Sequence, residues 1–286
     1  KMSKTRGNVI DPLELTEKYG ADALRMTLSA MAAQARDVKL SEERVSGYRS
    51  FANKLWNASR FVGMNVPEGQ VPAALDLEQL SDLSVSNRWV LHKLDETIDK
   101  VTTALDDYRL DEASMAAYDF VWHTYCDWTI ELSKSALREE GPAGDRTREV
   151  LVHVLDRALR LLHPFMPFIT EELWTGLPLS ERGAETVMLA SWPTCDTRRR
   201  DEATAEQMDQ LIGVIDGVRT IRGENQISPK IPIHVVVSTP DARSAELVTR
   251  AAADLKHLAN VANLDARPGA ERPPRSAVAV VASCRV

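Results

Sequence analysis

At 286 residues and a formal net charge of −7, the chain is long enough for one large domain or two smaller ones, with ordinary apolar content. No stretch approaches the ~18 uninterrupted apolar residues that cross a membrane, and no charged-then-apolar leader is visible, so neither a membrane partner nor a secretory signal is expected. Cys126, Cys195 and Cys284 form no CxxC pair and no metal-ligand spacing, which argues for a reducing compartment, a cytoplasmic location and no metal site.

The acidic balance speaks weakly against a nucleic-acid binder, although a basic stripe on an acidic body still steers an anion. The chain opens on Lys1, inside a motif, so a piece of a longer protein is expected. Residues Lys1 to Val9 are polar and contain glycine, which reads as a loop. Asp11-Pro12-Leu13-Glu14 then supplies a helix start: an acceptor side chain, a proline suited to the first turn, and a capping-box-like spacing. Gly20 ends that helix, and a second follows through Leu24 and Leu28.

Ser41-Glu42-Glu43 is another N-cap with acids in the first turn. From there to about Met64, Val45, Tyr48, Phe51, Ala52, Leu55, Trp56, Ser59 and Val62 fall at helical spacing. Pro67 to Asp82 is read as a loop. Three long helical patterns follow, over Asn87 to Leu105, Asp111 to Leu137 and Arg146 to Leu162, with a turn at Gly141-Pro142-Ala143-Gly144. Helices of this length joined by short loops make a bundle. His163-Pro164 stops the third, because proline lacks the N–H that would continue it. A short helix is expected around Ile169 to Gly176.

From Asp201 the character changes. One helix runs to about Arg222, Ile231 to Val237 is a strand, Thr239-Pro240 caps a further helix, and Leu264 to Arg267 and Val278 to Val281 are strand-like. The fold class expected is mainly α: a helical bundle over 41–195 followed by a small α+β domain over 201–286, with 1–40 as a loop and junction ahead of both.

Lys1-Met2-Ser3-Lys4-Thr5 carries the densest chemistry. Two lysines three apart can bracket a triphosphate and offset charge on a departing pyrophosphate, with hydroxyls and backbone N–H groups adding donors. Alone, five such residues are equally a solvated loop. Gly7-Asn8-Val9-Ile10-Asp11-Pro12 and Tyr19-Gly20-Ala21-Asp22-Ala23-Leu24-Arg25 follow. Together they resemble the KMSKS signature of class I aminoacyl-tRNA synthetases and its continuation in the valine, isoleucine and leucine subgroup. Thr5 stands where the signature has serine, which keeps the hydroxyl.

Asn53-Lys54-Leu55-Trp56-Asn57-Ala58-Ser59-Arg60-Phe61, Asp119-Phe120-Val121-Trp122 and Cys126-Asp127-Trp128-Thr129-Ile130-Glu131 are similar to the valine type, with Thr129 in place of the customary tyrosine. His163-Pro164-Phe165-Met166-Pro167-Phe168 through Trp174 is shared across the subgroup. The resemblance covers nearly the whole chain. It implies an anticodon-binding bundle from an enzyme that joins valine to its tRNA with ATP and Mg2+ through an adenylate. Lys1 and Lys4 would touch the ATP phosphates, with Ser3 and Thr5 beside them, and the region of Asp22 and Arg25 would link the catalytic fold to the bundle. By itself the chain is expected to bind no cofactor and to be inactive. The implied partner is the anticodon loop of valine tRNA, with no DNA, and a monomer is expected. Two alternatives stand: the same region of an isoleucine enzyme, and a non-catalytic RNA- or protein-binding paralogue, against which the retained lysine loop speaks.

The RNA face is read from spacing. Lys54, Asn57 and Phe61 lie at i, i+3 and i+7, with Arg60 beside them and Arg49 as a backbone contact. A cation, an amide and an aromatic are what a splayed single-stranded loop needs. The competing reading makes Phe61 bundle core and Lys54 a solvated charge. Trp122, Trp128, Trp174, Phe165 and Phe168 are assigned to the core. Arg198-Arg199-Arg200 is read as a solvated loop, and Arg219, Arg222 and Lys230 as a second possible basic stripe.

Overall fold

A computed structural model of the chain describes residues 11–32, 40–138, 141–180, 182–281 and 284–286. Lys1 to Thr5, with the expected phosphate contacts, lies outside the described residues. The chain divides into two compact units between Arg200 and Asp201.

In the first unit, helix α1 (Pro12–Tyr19) starts as the residues dictate: Asp11 accepts a 2.8 Å hydrogen bond from the Leu13 N–H. Gly20, at φ 90°, makes the turn into α2 (Ala21–Ala30), a backbone conformation that costs glycine little. Helix α3 (Glu42–Asn65) is capped by Ser41, which accepts from the Arg44 N–H at 3.4 Å. Leu15, Ala23, Leu24 and Val45 bury one another where these three helices meet.

Helix α4 (Val85–Asp106) supplies Trp89, Leu91, Leu94, Ile98 and Val101 to the core. The pattern read as one helix from Asp111 to Leu137 is a single right-handed run, but its winding changes twice. Helix α5 (Leu110–Asp119) passes into a π-helical stretch, Phe120–Thr129, and then into α6 (Ile130–Arg138). Thr129 Oγ1 donates to the Thr124 carbonyl, five residues back, at 2.9 Å. Such wide turns are rare and re-aim the side chains they carry. Helix α7 (Pro142–Leu162) buries a long apolar stripe, and the Tyr125 hydroxyl donates into it at the Leu151 carbonyl, 3.0 Å away. Helix α8 (Pro167–Thr175) closes the bundle over Trp174, whose indole N–H donates to Asp156 at 2.6 Å.

Phe168 departs from the expected core, and Trp56, read only as lying at helical spacing, is exposed as well. Phe168 is 66% exposed, because short α8 turns Thr170, Leu173 and Trp174 inward and leaves Phe168 on the opposite side. Trp56 is 42% exposed, because it stands about 100° around α3 from the buried Leu55. Trp122 is half-buried, whereas Phe165, Trp128 and Trp174 are core.

The second unit begins with α9 (Glu202–Glu224), capped by Asp201. Strand β1 (Ile233–Thr239) leads through α10 (Ala242–Arg250) and α11 (Ala252–Ala259) to β2 (Val261–Pro268), which pairs parallel with it. Short strands β3 (Val280–Val281) and β4 (Cys284–Arg285) complete a sheet in the order β2-β1-β4-β3. The cap of α10 is Asp241, not Thr239-Pro240: its carboxylate accepts from the Ser244 N–H at 2.7 Å. Gly217 lets α9 lie on the sheet, since a Cβ there would come within 2.6 Å of Val281.

Candidate nucleic-acid interface

Helix α3 buries Val45, Phe51, Ala52, Leu55, Ala58 and Val62 on one side of its circumference. It packs against α2, α7, α8 and the π-helical stretch. The expected RNA residues fall into two groups on that circumference.

Lys54 lies at the flank next to the π-helical stretch, and both it and Phe61 are half-buried. Lys54 is already engaged: its ammonium is 2.5 Å from Asp127 and 3.8 Å from the centre of the Trp122 ring. Asp127 also faces His123 at 3.4 Å. Trp122 stacks on Tyr118, with ring centres 5.6 Å apart, and Tyr118 packs on Phe51 at 4.7 Å. The π winding thus delivers Trp122 and Asp127 together to one cation. Burial pushes the Tyr118 hydroxyl pKa above the usual phenol value and the nearby Cys126 thiol up to about 12, so neither is a nucleophile at neutral pH.

Arg49, Asn57 and Arg60 are exposed, on the outward face of α3, together with Asn53. None of these four side chains makes a hydrogen bond or ion pair with a described residue. Two cations and two amides are therefore available without breaking a contact to any described residue. Beside them, Arg49, Ala52, Asn53 and Trp56 of α3 and Ile169 and Glu172 of α8 line an open groove of about 420 Å³. Reasoning from spacing passed over Asn53 and Trp56. The signal was present: Trp56 is seven residues after Arg49 and four before Arg60, which puts all three on one helical face.

The groove's far wall is α8, which α2 holds in place. Asp22, itself buried, accepts hydrogen bonds from the Phe168 and Ile169 N–H groups at 3.2 and 2.7 Å, capping α8. Arg25 donates to the Pro164 carbonyl at 2.9 Å. These two contacts make the region of Asp22 and Arg25 a fixed joint between α2 and the bundle.

The family described as the anticodon-binding domain of tRNA ligase matches residues 87–237, just over half of the chain. The chain belongs to that family. Residues 1–41 match the family of class I tRNA synthetases (I, L, M and V). Curated relatives include the valine--tRNA ligases of Syntrophotalea carbinolica, 43% identical over the whole chain, and Geobacter sulfurreducens, 44% identical over the whole chain. That of Thermotoga maritima is 39% identical over 98% of the chain. The chain spans about a third of the length of these relatives, 32%, 32% and 30% respectively. Among solved structures, the LeuRS–tRNA–LeuAMS ternary complex from Agrobacterium radiobacter K84 matches with TM-score 0.53 at 22% identity, covering 70% of this chain and 23% of that one. That likeness establishes shared architecture.

In this anticodon-binding domain each of the two expected basic runs has one arginine buried in the fold. Arg199 is 4% exposed and sits 2.8 Å from the wholly buried Asp95, because an arginine carried into the bundle needs a carboxylate there. Arg199 also donates to the Thr194 carbonyl at 2.8 Å, while exposed Arg198 pairs with Asp196 and Glu78, both at 2.6 Å. Arg222 is buried too. Its guanidinium donates to the carbonyls of Ala259, Ser228, Ile231 and Asn260, so it ties the loops of the second unit together and takes no part in a surface stripe. Among the described residues no helix is long and apolar enough to cross a membrane, and no cluster of His, Cys, Asp or Glu could hold a metal ion.

Proposed function

We propose that this chain is the tRNA-binding portion of a valine--tRNA ligase, which joins valine to its tRNA with ATP through valyl-adenylate, and that the chain reads the anticodon loop. The observation that carries the reading is the similarity to valine--tRNA ligases from end to end of the chain, at 43% and 44% identity. The free polar face of α3 supports it, because Arg49, Asn57 and Arg60 stand ready for phosphate and base edges.

In this reading the bundle over 41–195 is the anticodon reader, and Lys54, Asn57 and Phe61 remain contacts on its first long helix. Lys54 reaches RNA by exchanging Asp127 for a phosphate, and Phe61 by offering the exposed part of its ring. Lys1, Ser3, Lys4 and Thr5 contact ATP in the whole protein, with Mg2+ on the phosphates. The working form is a cytoplasmic monomer specific for valine isoacceptors. The test is binding of the chain to a valine tRNA transcript beside an isoleucine tRNA transcript. Preference for the valine transcript supports the reading, and preference for the isoleucine transcript replaces it with the isoleucine enzyme.

A further inference from the structure

The α3–α8 groove has an unusual composition for a protein surface. Its lining includes a tryptophan left 42% exposed, on the helix that buries Phe51, Leu55 and Val62 on its other side. Its rim carries Arg49, Asn53 and Glu172, and Arg49 and Asn53 bond to no described residue. One turn beyond Trp56 stands Arg60, equally exposed and unpaired among the described residues. Two turns before Trp56, at the other end, the Arg49 guanidinium lies over Gly20, where a Cβ would meet it at 3.6 Å.

These parts match the chemistry of one extruded nucleotide. An indole face takes the π-face of any base. An exposed guanidinium at each end of the tryptophan suits the two flanking phosphates of a single strand. An amide and a carboxylate on the rim suit a base edge: Glu172 accepts an N–H from the base, and Asn53 both donates and accepts. The groove is open to solvent, so a base enters without prying helices apart, and Asp22 holds the α8 wall in place from behind.

We propose that the α3–α8 groove binds one unpaired nucleobase of the bound tRNA, with Trp56 as the stacking platform, Arg49 and Arg60 on the flanking phosphates, and Glu172 accepting from the base edge. This rests on the reading of the chain as a tRNA binder. It adds a second contact surface, a quarter-turn or more around α3 from Lys54 and Phe61. The RNA strand then runs across the outward face of α3, from the Trp122 flank to α8, with Asn57 between.

The experiment measures the affinity of the full chain for a fluorescein-labelled valine tRNA transcript, and of Trp56→Ala, Trp56→Phe and Glu172→Gln variants, with thermal melts of each. The expected result is a loss of about 5- to 100-fold for Trp56→Ala, the range for removing one base–aromatic stack. Trp56→Phe keeps most of the affinity, and all melts are close to that of the unaltered chain, since Trp56 is a surface residue. Unaltered binding by both Trp56→Ala and Glu172→Gln overturns the groove site alone and leaves the tRNA-binding reading standing. Absence of binding by the unaltered chain overturns that reading, and the groove site with it.

Discussion

The Asp22 carboxylate, on α2, accepts a 2.7 Å hydrogen bond from the backbone N–H of Ile169, on α8. It does the same from Phe168 at 3.2 Å, so a residue far away in sequence satisfies the first free N–H groups of α8. Its negative charge also lies at the positive end of that helix. Replacement Asp22→Asn keeps one acceptor and loses the charge; Asp22→Ala loses both. Urea unfolding should show Asp22→Ala destabilised by about 1–3 kcal/mol and Asp22→Asn by less. Equal stability of all three proteins would contradict the capping role.

The buried pair of Arg199 and Asp95 should dominate the charge energetics of the bundle. Removing the guanidinium leaves a carboxylate that is 0% exposed without its partner. Arg199→Ala should therefore cost about 3–5 kcal/mol in a urea titration, with much of the loss recovered in Arg199→Met combined with Asp95→Leu. Arg198→Ala, one residue earlier, removes a half-exposed cation from pairs at the surface and should change stability by less than about 1 kcal/mol.

Acid should weaken the fold through His153. Burial, then the guanidiniums of Arg157, Arg199 and Arg160, hold the His153 pKa well below the usual imidazole value. Unfolding therefore takes up a proton between about pH 6.5 and the lower folded value. The contribution to stability is complete above that pH and is lost as pH falls through the folded value. His163, also lowered by burial, acts in the same sense. Asp95 acts in the opposite sense nearer the carboxylate range, because burial raises its pKa above the ordinary value. Urea midpoints measured from about pH 8 to pH 5 should fall, and His153→Gln should flatten part of that slope. An unchanged slope in the variant would contradict a neutral, half-buried His153.

Close packing in the second unit predicts a steric effect. A methyl group at Gly217 would come within 2.6 Å of Val281, a stiff β-branched side chain. Gly217→Ala should lower stability by about 1–3 kcal/mol despite alanine's better helix propensity, whereas Gly223→Ala, which meets open space, should be neutral or stabilising. Thermal melts of the two variants distinguish packing from propensity.

The caps at Asp11 and Ser41 and the helical periodicities were legible in the residues because each depends on neighbours within one or two turns. The Trp56 and Phe168 exposures were not, since amphipathic spacing marks an aromatic as inward whenever it adjoins the buried arc by one position. The change to π winding at Phe120 left the apolar spacing almost unaltered, so it gave no sign, and with it the meeting of Lys54, Trp122 and Asp127 stayed hidden. Arg199 and Arg222 looked like surface charges because their partners, Asp95 and a ring of backbone carbonyls, come from distant segments. The α3 face was legible as a helix face carrying Arg49, Asn57 and Arg60; which of its polar side chains were free became visible only with the partners in place.

Salt should separate the contacts that hold RNA from those that hold the fold. Arg49 and Arg60 are exposed and bond to no described residue, so the phosphate contacts proposed for them would release counterions. Affinity for a valine tRNA transcript should fall steeply with salt, and each of Arg49→Ala and Arg60→Ala should reduce the slope of log affinity against log salt by about 1. Slopes unchanged in both variants would place the phosphate contacts elsewhere.

Anticodon recognition is tested most directly by the affinity of the full chain for a valine tRNA transcript beside the same transcript with its anticodon bases exchanged. Tighter binding of the unexchanged tRNA by about tenfold or more, with the difference erased by Asn57→Ala, is the predicted result. Equal binding of the two transcripts would contradict the account.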